Sequence, residues 1–362
     1  MKLALVGTGL IGSSVGLAAK HALGAEVSGW DPDPAALAGA AERGAIDRDA
    51  GSLADAVADA ELAVVAAPVA QLPAQVVEVL RHSGDGCTVT DVGSTKGWIA
   101  GAEPSVRFVG GHPLAGSEAH GPAHARAELF EGATWFLTPS PTTDADRYRA
   151  LHGFVSALGA IPVAVDPQAH DRILALTSHL PHALANLLLN QVGANRVEGH
   201  EPLAAAGGGL RDMTRIGGAN PRIWVDIFLD NADSVRDALA EHRRRVEQLE
   251  AALDAGDAGF VARWIGEAGQ NRRRLLTGAY GEAGQIHRLL VRIPDRPGVL
   301  SAITQALGAE RINIEDFELR HDSPERGGAF TLMIAGEEQA QRAADLLESQ
   351  GYAVDVSPLD ES

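Results

Sequence analysis

The 362-residue sequence predicts an α/β protein in three parts: a doubly wound sheet, an all-helical middle and a ferredoxin-like C-terminal module. Three observations predict it. Short all-apolar runs, such as 3–6 and 62–66, suit strands covered on both faces of a parallel sheet. From Pro167 the apolar residues change to helical spacing. Past residue 285 the order is strand, helix, strand, strand, helix, strand, that of a ferredoxin-like domain. The boundaries expected are 1–165, 166–280 and 285–358.

Each part is long enough to bury its own core. The formal net charge of −18, with no compensating basic stripe, argues against nucleic acid or an anionic membrane as partner. An anionic ligand must therefore be held by individual arginines. The single cysteine, Cys87, excludes an internal disulfide framework and all-thiolate metal sites, and fits a reducing cytoplasm. The apolar opening before Gly7 is too short for a signal peptide or a membrane span and reads as a strand.

That strand runs straight into Gly7-Thr8-Gly9-Leu10-Ile11-Gly12, and a helix follows over 13–23. The first glycine permits a tight turn, the second lets backbone amides approach a pyrophosphate, and the third lets helix and strand pack closely. The helix N-terminus supplies the partial positive charge that phosphates need. A second strand over 26–30 ends at Asp31, about 20 residues beyond the glycines, where a carboxylate can hold ribose hydroxyls and repel a 2′-phosphate. A Rossmann-type domain binding NAD in preference to NADP is expected. Further strands, over 62–66, 87–91, 134–138 and 161–165, would bring the Gly7 turn, Asp31, Pro68, Ser94 and His112 to one crevice at the strands' carboxyl ends.

The stretch from Thr90 to Gly121 is the chemical centre. Asp91-Val92-Gly93-Ser94-Thr95-Lys96 ends an apolar run in a turn with a hydroxyl and a lysine, and Gly110-Gly111-His112-Pro113 then offers an imidazole. This composition suits a rigid loop presenting a proton acceptor to a ligand. In the helical middle, Pro181 should kink or restart a helix and turn His179 and His182 toward a shared space. No carboxylate or thiolate pattern with ligand spacing accompanies His170, His179 and His182, so no metal site is expected; a satisfied histidine pair in a helical core is the competing reading. Gly207-Gly208-Gly209 then precede Arg211 and Arg215, four apart on one face of a helix, a pairing suited to clamp carboxylates. Trp224 is a core or pocket-wall residue. Val235, Leu239, His242, Val246, Leu249 and Leu253 form a heptad-like seam that can bury in a bundle or against a second subunit. A glycine-dotted linker is expected over 274–284. In the last module, Pro297-Gly298 feeds a helix N-terminus able to receive a small carboxylate.

The whole chain resembles the prephenate dehydrogenase family, carrying a C-terminal ACT domain. The resemblance rests on the glycine turn 7–12, the 91–96 turn, Gly110 to Gly116, Ser178-His179-Leu180-Pro181-His182, and the 208–216 segment, in order over about the first 280 residues; Asp295-Arg296-Pro297-Gly298-Val299-Leu300 resembles an ACT ligand loop. It implies oxidative decarboxylation of prephenate to 4-hydroxyphenylpyruvate with NAD+, as part of tyrosine biosynthesis. His112 would take the proton of the substrate hydroxyl, with Ser94 assisting. Arg215 would hold a substrate carboxylate, and Arg211 stands where the family often has Lys. His182, Trp224 and Gly208 would line the substrate site, and His179 would be structural. The helical part would be a dimerisation domain, with some of these side chains serving the neighbouring subunit's site. Tyrosine is the expected effector, bound near Asp295, Pro297, Gly298, Val299 and Asn313. Arogenate in place of prephenate is an alternative that the sequence leaves open. Another NAD-linked hydroxy-acid dehydrogenase would more usually want a helix-borne lysine, whereas this chain has only Lys2, Lys20 and Lys96. A non-catalytic amino-acid sensor is the reading opposed by Ser94, His112 and Arg215 occurring together.

Overall fold

In the computed structural model, which describes residues 1–101, 105–116, 119–280, 286–323 and 327–358, the apolar runs of the N-terminal part become one eight-stranded sheet. Its strands are β1 (Lys2–Val6), β2 (Glu26–Trp30), β3 (Arg48–Asp49), β4 (Leu62–Val65), β5 (Thr88–Asp91), β6 (Phe108–Pro113), β7 (Thr134–Thr138) and β8 (Ile161–Ala164). They lie in the order β3-β2-β1-β4-β5-β6-β7-β8. Every neighbouring pair is parallel except β6 with β7. Alternate residues of β1 point into different cores: Leu3 and Leu5 join Val15 and Ala19 of the helix Leu10–Leu23, while Ala4 and Val6 join Val76 and Val79 of the helix Leu72–His82. Burial on both faces is why β1 carries no alternating polar residue. The chain order reverses between β1 and β4, which opens a crevice at their carboxyl ends.

His112 is not in a loop: it lies in β6, paired across the antiparallel ladder with Phe136. The two glycines before it serve close approach. A Cβ at Gly110 would come within 2.2 Å of Thr138 Oγ1, and one at Gly111 within 2.6 Å of the Asp91 carbonyl oxygen. Gly111→Ala is accordingly expected to destabilise the fold by about 1–3 kcal/mol through overpacking. A thermal unfolding midpoint equal to the parent's would show that the ladder can shift without cost.

The compact unit Met1–Arg243 also contains the first helices of the middle part. Pro167–Leu174 is followed by a five-residue π turn, Ala175–His179, and then by Leu180–Ala194. Pro181 sits in the first turn of that last helix, where its missing N–H is tolerated. The helix restarts there, as the sequence predicts.

The unit Arg244–Ser362 holds the end of the helix Ala232–Ala255, the helix Ala258–Tyr280 and the second sheet. The helix covers 274–280, where a linker is expected; Arg272-Arg273-Arg274-Leu275-Leu276 are all good helix formers. Residues 281–285, which include the rest of that linker and the boundary at 285, lie outside the described residues. The second sheet contains β9 (Ile286–Ile293), β10 (Asp316–Ser323), β11 (Gly327–Ala335) and β12 (Ala353–Pro358), in the antiparallel order β10-β11-β9-β12. The helices Val299–Ala309 and Glu337–Ser349 bury Ile303, Leu307, Ala343 and Leu347 against it. The stretch from Ile312 to Leu319 suits a strand, but β10 begins only at Asp316. Ile312 is instead bonded back to the Leu307 carbonyl at 3.0 Å and buried in the core.

Candidate active site

The glycine turn is shaped for a bound group at one position. A Cβ at Gly7 would lie 2.3 Å from the Ala66 carbonyl oxygen, and one at Gly12 2.0 Å from the Gly7 carbonyl oxygen, whereas one at Gly9 would meet nothing within 4 Å. Gly7 also has φ of +100°, a conformation that favours glycine. Gly9 caps the helix Leu10–Leu23 without a side-chain cap hydrogen bond, so the turn lies at the positive end of the helix. Asp31, at the end of β2, accepts from the Thr8 backbone N–H at 2.7 Å and from the Asp33 N–H at 2.9 Å. Its carboxylate is thereby fixed beside the turn and partly exposed. Such a cradle fits the diphosphate and ribose of a dinucleotide. Pro68 is exposed in the turn after β4, and the helix Pro221–Asp230 packs beside the following residues Val69–Gln71.

The polar turn after β5 is built on a buried ion pair. Lys96 and Asp91 are both fully buried, with Nζ donating to Oδ2 at 2.8 Å. Lys96 Nζ also donates to the Gly93 carbonyl at 2.6 Å and the Thr95 carbonyl at 3.1 Å, while Asp91 accepts from the Gly93 and Gly111 amides. The pair ties the turn that carries Ser94 to the strand that carries His112.

Ser94 and His112 share a cavity of about 320 Å³. Its walls include Leu174, Thr177, Ser178 and His179 from the helix and π turn, and Trp224 and Ile227 from Pro221–Asp230. Leu114 and Ala115 line it too, and the segment continues to Gly116, where a Cβ would be 4.0 Å from Ile11 in the first turn of the nucleotide-side helix. The cavity wall at Ala115 is thus one residue from the point where this segment approaches that helix. His112 is 8% exposed, and its Nδ1 is 2.9 Å from His170 Nε2. His170 Nδ1 is in turn 2.7 Å from Asp171 Oδ1, and the Asp171 carboxylate accepts from the Lys96 and Gly97 amides at 2.8 and 2.6 Å.

Burial holds His112 well below the usual imidazole pKa, and the Lys96 ammonium, His170 and His179 press it in the same direction. A neutral imidazole with a free lone pair is what a general base requires. Burial also pushes His179 down to about 4, against the pull of Asp171. In the unfolded chain both return to about 6.5. The unfolded state then binds more protons below that pH, so stability due to these residues is complete above about 6.5 and is lost as pH falls toward about 4. Thermal midpoints compared between pH 7.5 and pH 5 should show the loss; no change would mean that the two rings stay as solvated as in the open chain.

His182 is outside the cavity wall, stacked on Trp224 at 3.6 Å between ring centroids, with Nδ1 3.0 Å from the Ser178 carbonyl. His179, read as structural, is a wall residue, edge-on to Trp224 and bonded to Asn231. Both histidines thus meet at Trp224. His170, His179 and His182 each have a different polar partner, and among the described residues no group of three His, Cys, Asp or Glu side chains is placed to hold a metal ion. Arg211 and Arg215 do not share one helical face. The helix Gly208–Met213 is too short to carry both: Thr214 closes it, its hydroxyl donating to the Leu210 carbonyl at 2.6 Å, and Arg215 falls in the following turn. Both arginines are exposed, and neither they nor Gly208 line the cavity of this chain. Asn186 holds that turn against the helix Leu180–Ala194 by accepting from Gly218 N–H at 3.0 Å. In the second unit, Asp295 and Pro297 are exposed beside Gly298, which has φ of +89° and caps the helix that Val299 begins. Asn313, also exposed, donates to Glu315 at 2.8 Å.

His170 and Asp171 escape the sequence reading as partners of His112. The available signal was a histidine followed at once by an aspartate in the first helix after the sheet, directly behind the capping Asp166.

Family models match the chain in three places: a prephenate dehydrogenase nucleotide-binding domain over 15–163, a prephenate dehydrogenase dimerization domain over 166–267, and an ACT domain over 287–351. A prephenate dehydrogenase of Bacillus subtilis is 34% identical over 96% of this chain and 95% of its own length. A prephenate dehydrogenase structure from A. aeolicus, in complex with hydroxyphenyl propionate and NAD+, has a TM-score of 0.70 at 27% identity and covers 76% of this chain and 98% of that one. A Synechocystis arogenate dehydrogenase structure has a TM-score of 0.69 at 27% identity and covers 76% and 100%.

Proposed function

The chain belongs to the prephenate dehydrogenase family, and on that premise we propose that it oxidises prephenate with NAD+ and releases CO2, giving 4-hydroxyphenylpyruvate for tyrosine biosynthesis. The observation that carries the reading is a buried, neutral His112 beside Ser94 in a cavity whose wall leads through Gly116 toward the helix that follows the glycine turn. Bound NAD+ supplies the hydride acceptor, and the Gly9 cradle with Asp31 would hold it.

His112 takes the proton of the substrate hydroxyl through Nε2, the ring nitrogen not engaged with His170. Ser94 lies in the same cavity and orients that hydroxyl. The apolar walls Leu174, Ile227 and Trp224 exclude water and seat the ring. Loss of the carboxylate as CO2 then leaves its electron pair to the ring, which aromatises to a phenolate, and the proton returns from His112 Nε2 to that oxygen. Among the described residues the lining contains no arginine, so Arg215, with Arg211 and Gly208, serves the substrate from the 208–218 segment and His182 from the helix Leu180–Ala194; in a homodimer both can reach the neighbouring copy's site. Val246, Leu253, Trp264 and Ile265 leave apolar surface exposed in the single chain, as a dimerising helical part would. The division 1–165, 166–280 and 285–358 goes with this reading. Among the described residues no helix is long and apolar enough to cross a membrane; one cysteine and a formal charge of −18 fit a cytoplasmic enzyme. Tyrosine bound at Asp295, Pro297, Gly298, Val299 and Asn313 would give feedback control.

The test is NADH formation by the full chain with prephenate or, separately, arogenate, each with and without tyrosine. Turnover of prephenate suppressed by tyrosine is expected. Turnover of arogenate alone would move the substrate assignment to the chemistry named for the Synechocystis structure, and indifference to tyrosine would remove the effector. Asp31→Ser is expected to relax the preference for NAD+ over NADP+, read as the ratio of kcat/KM values; an unchanged ratio would place the ribose contact elsewhere.

A further inference from the structure

We propose that His170, backed by Asp171, is a positioning residue for the base: it sets the His112 tautomer so that Nε2 carries the lone pair, and it receives the Nδ1 hydrogen throughout the reaction. The inference rests on His112 being the base, and it follows from which atoms can donate. An ionised carboxylate only accepts. Asp171 accepts on Oδ1 from the Lys96 amide and on Oδ2 from the Gly97 amide, so the His170 nitrogen 2.7 Å from Oδ1 must carry a hydrogen. A neutral imidazole has one ring hydrogen. With it on Nδ1, His170 Nε2 is an acceptor, and His112 Nδ1, 2.9 Å away, has to donate. The single hydrogen of neutral His112 is thereby committed to Nδ1, which leaves Nε2 bare.

The opposite tautomer would set two lone pairs against each other in a buried site and offer the substrate hydroxyl a donor. His170 has little freedom to escape this role. It is fully buried, edge-on to Phe136 at 5.3 Å and to His112 at 5.1 Å, and the backbone carbonyl beyond it, that of Asp171, accepts from Asn231 Nδ2 at 2.8 Å. Burial and Lys96 lower the affinity of His170 for a second proton, while its bond to Asp171 offsets part of that. A neutral His170 keeps Nε2 available as an acceptor. On turnover the substrate O–H bond breaks and an N–H bond forms at His112 Nε2. The resulting imidazolium still donates Nδ1–H to His170, a charge-assisted and stronger hydrogen bond.

The deciding experiment is a long-range ¹H–¹⁵N correlation spectrum of the full chain with ¹⁵N-labelled histidine at pH 7.5, assigned with the His112→Asn variant. The expected result is an unprotonated Nε2 and a protonated Nδ1 at His112; an Nε2–H tautomer there would overturn the proposal. In kinetics with prephenate, His170→Phe, which removes the acceptor, should lower kcat by roughly 10²-fold with KM little changed, and His170→Gln, whose amide oxygen can accept, should regain most of it. Parent-like kcat in His170→Phe would also overturn the proposal. If that variant does not fold, the spectrum of the parent decides. Absence of turnover by the parent with either substrate would instead count against the proposed function, and the tautomer result would stand apart from it.

Discussion

Replacing His112 by asparagine should lower turnover of prephenate by roughly 10²–10⁴-fold, the usual contribution of a positioned base, while NAD+ binding is kept. The reason is local. His112 is the imidazole of β6 that lines the cavity beside Ser94, and burial and Lys96 keep it neutral at physiological pH. An asparagine amide can still donate to His170, so the strand and the wall should survive the change. The nucleotide turn is built from β1 and the helix after it and owes nothing to His112. Single-turnover and steady-state rates, with NAD+ affinity by titration calorimetry, separate the two effects. A variant that turns over like the parent would mean that the proton leaves by another route; one that loses NAD+ binding would mean that His112 organises the fold instead.

Lys96→Met should give the largest loss of stability of any single change at the site, about 3–5 kcal/mol, because it strands a buried carboxylate. Asp91 would keep only its hydrogen bonds from the Gly93 and Gly111 amides, and the carbonyls of Gly93 and Thr95 would lose their donor. The same change removes a positive charge that depresses His112, so the acid limb of the pH–rate profile should move to higher pH in whatever fraction remains folded. Adding Asp91→Asn should restore part of the stability, since the uncompensated charge is then gone. Urea unfolding of the single and double variants reads the first effect. A midpoint like the parent's for Lys96→Met would show that the pair is more hydrated than its burial implies.

What the sequence revealed and what it concealed differ by range of interaction. The glycine turn, its strand and helix, and Asp31 lie within one supersecondary unit, and each has a local steric or electrostatic reason. They were legible for that cause. His112 could be picked out in the sequence as a candidate base by its residue type, but its surroundings could not. His170 is 58 residues away and meets it only because the helix Pro167–Leu174 packs over the residues after Lys96. Nothing local to the 91–96 turn signals that Lys96 is buried; its burial goes with the ion pair to Asp91 five residues earlier. The Gly110-Gly111 pair looked like a loop because glycine usually marks one, whereas here it admits Thr138 and the Asp91 backbone to an antiparallel ladder. Four-residue spacing put Arg211 and Arg215 on one helical face only as long as the helix continued, and Thr214 ends it first. Ile312 carries strand propensity but serves the core as the residue closing a helix.

The measurement that bears most directly on the central claim is the stoichiometry of the parent chain acting on prephenate with NAD+: NADH by absorbance, CO2 by trapping and 4-hydroxyphenylpyruvate by chromatography. One equivalent of each per prephenate consumed is expected. NADH without CO2, or no NADH from prephenate at any concentration of NAD+, would contradict oxidative decarboxylation at this site.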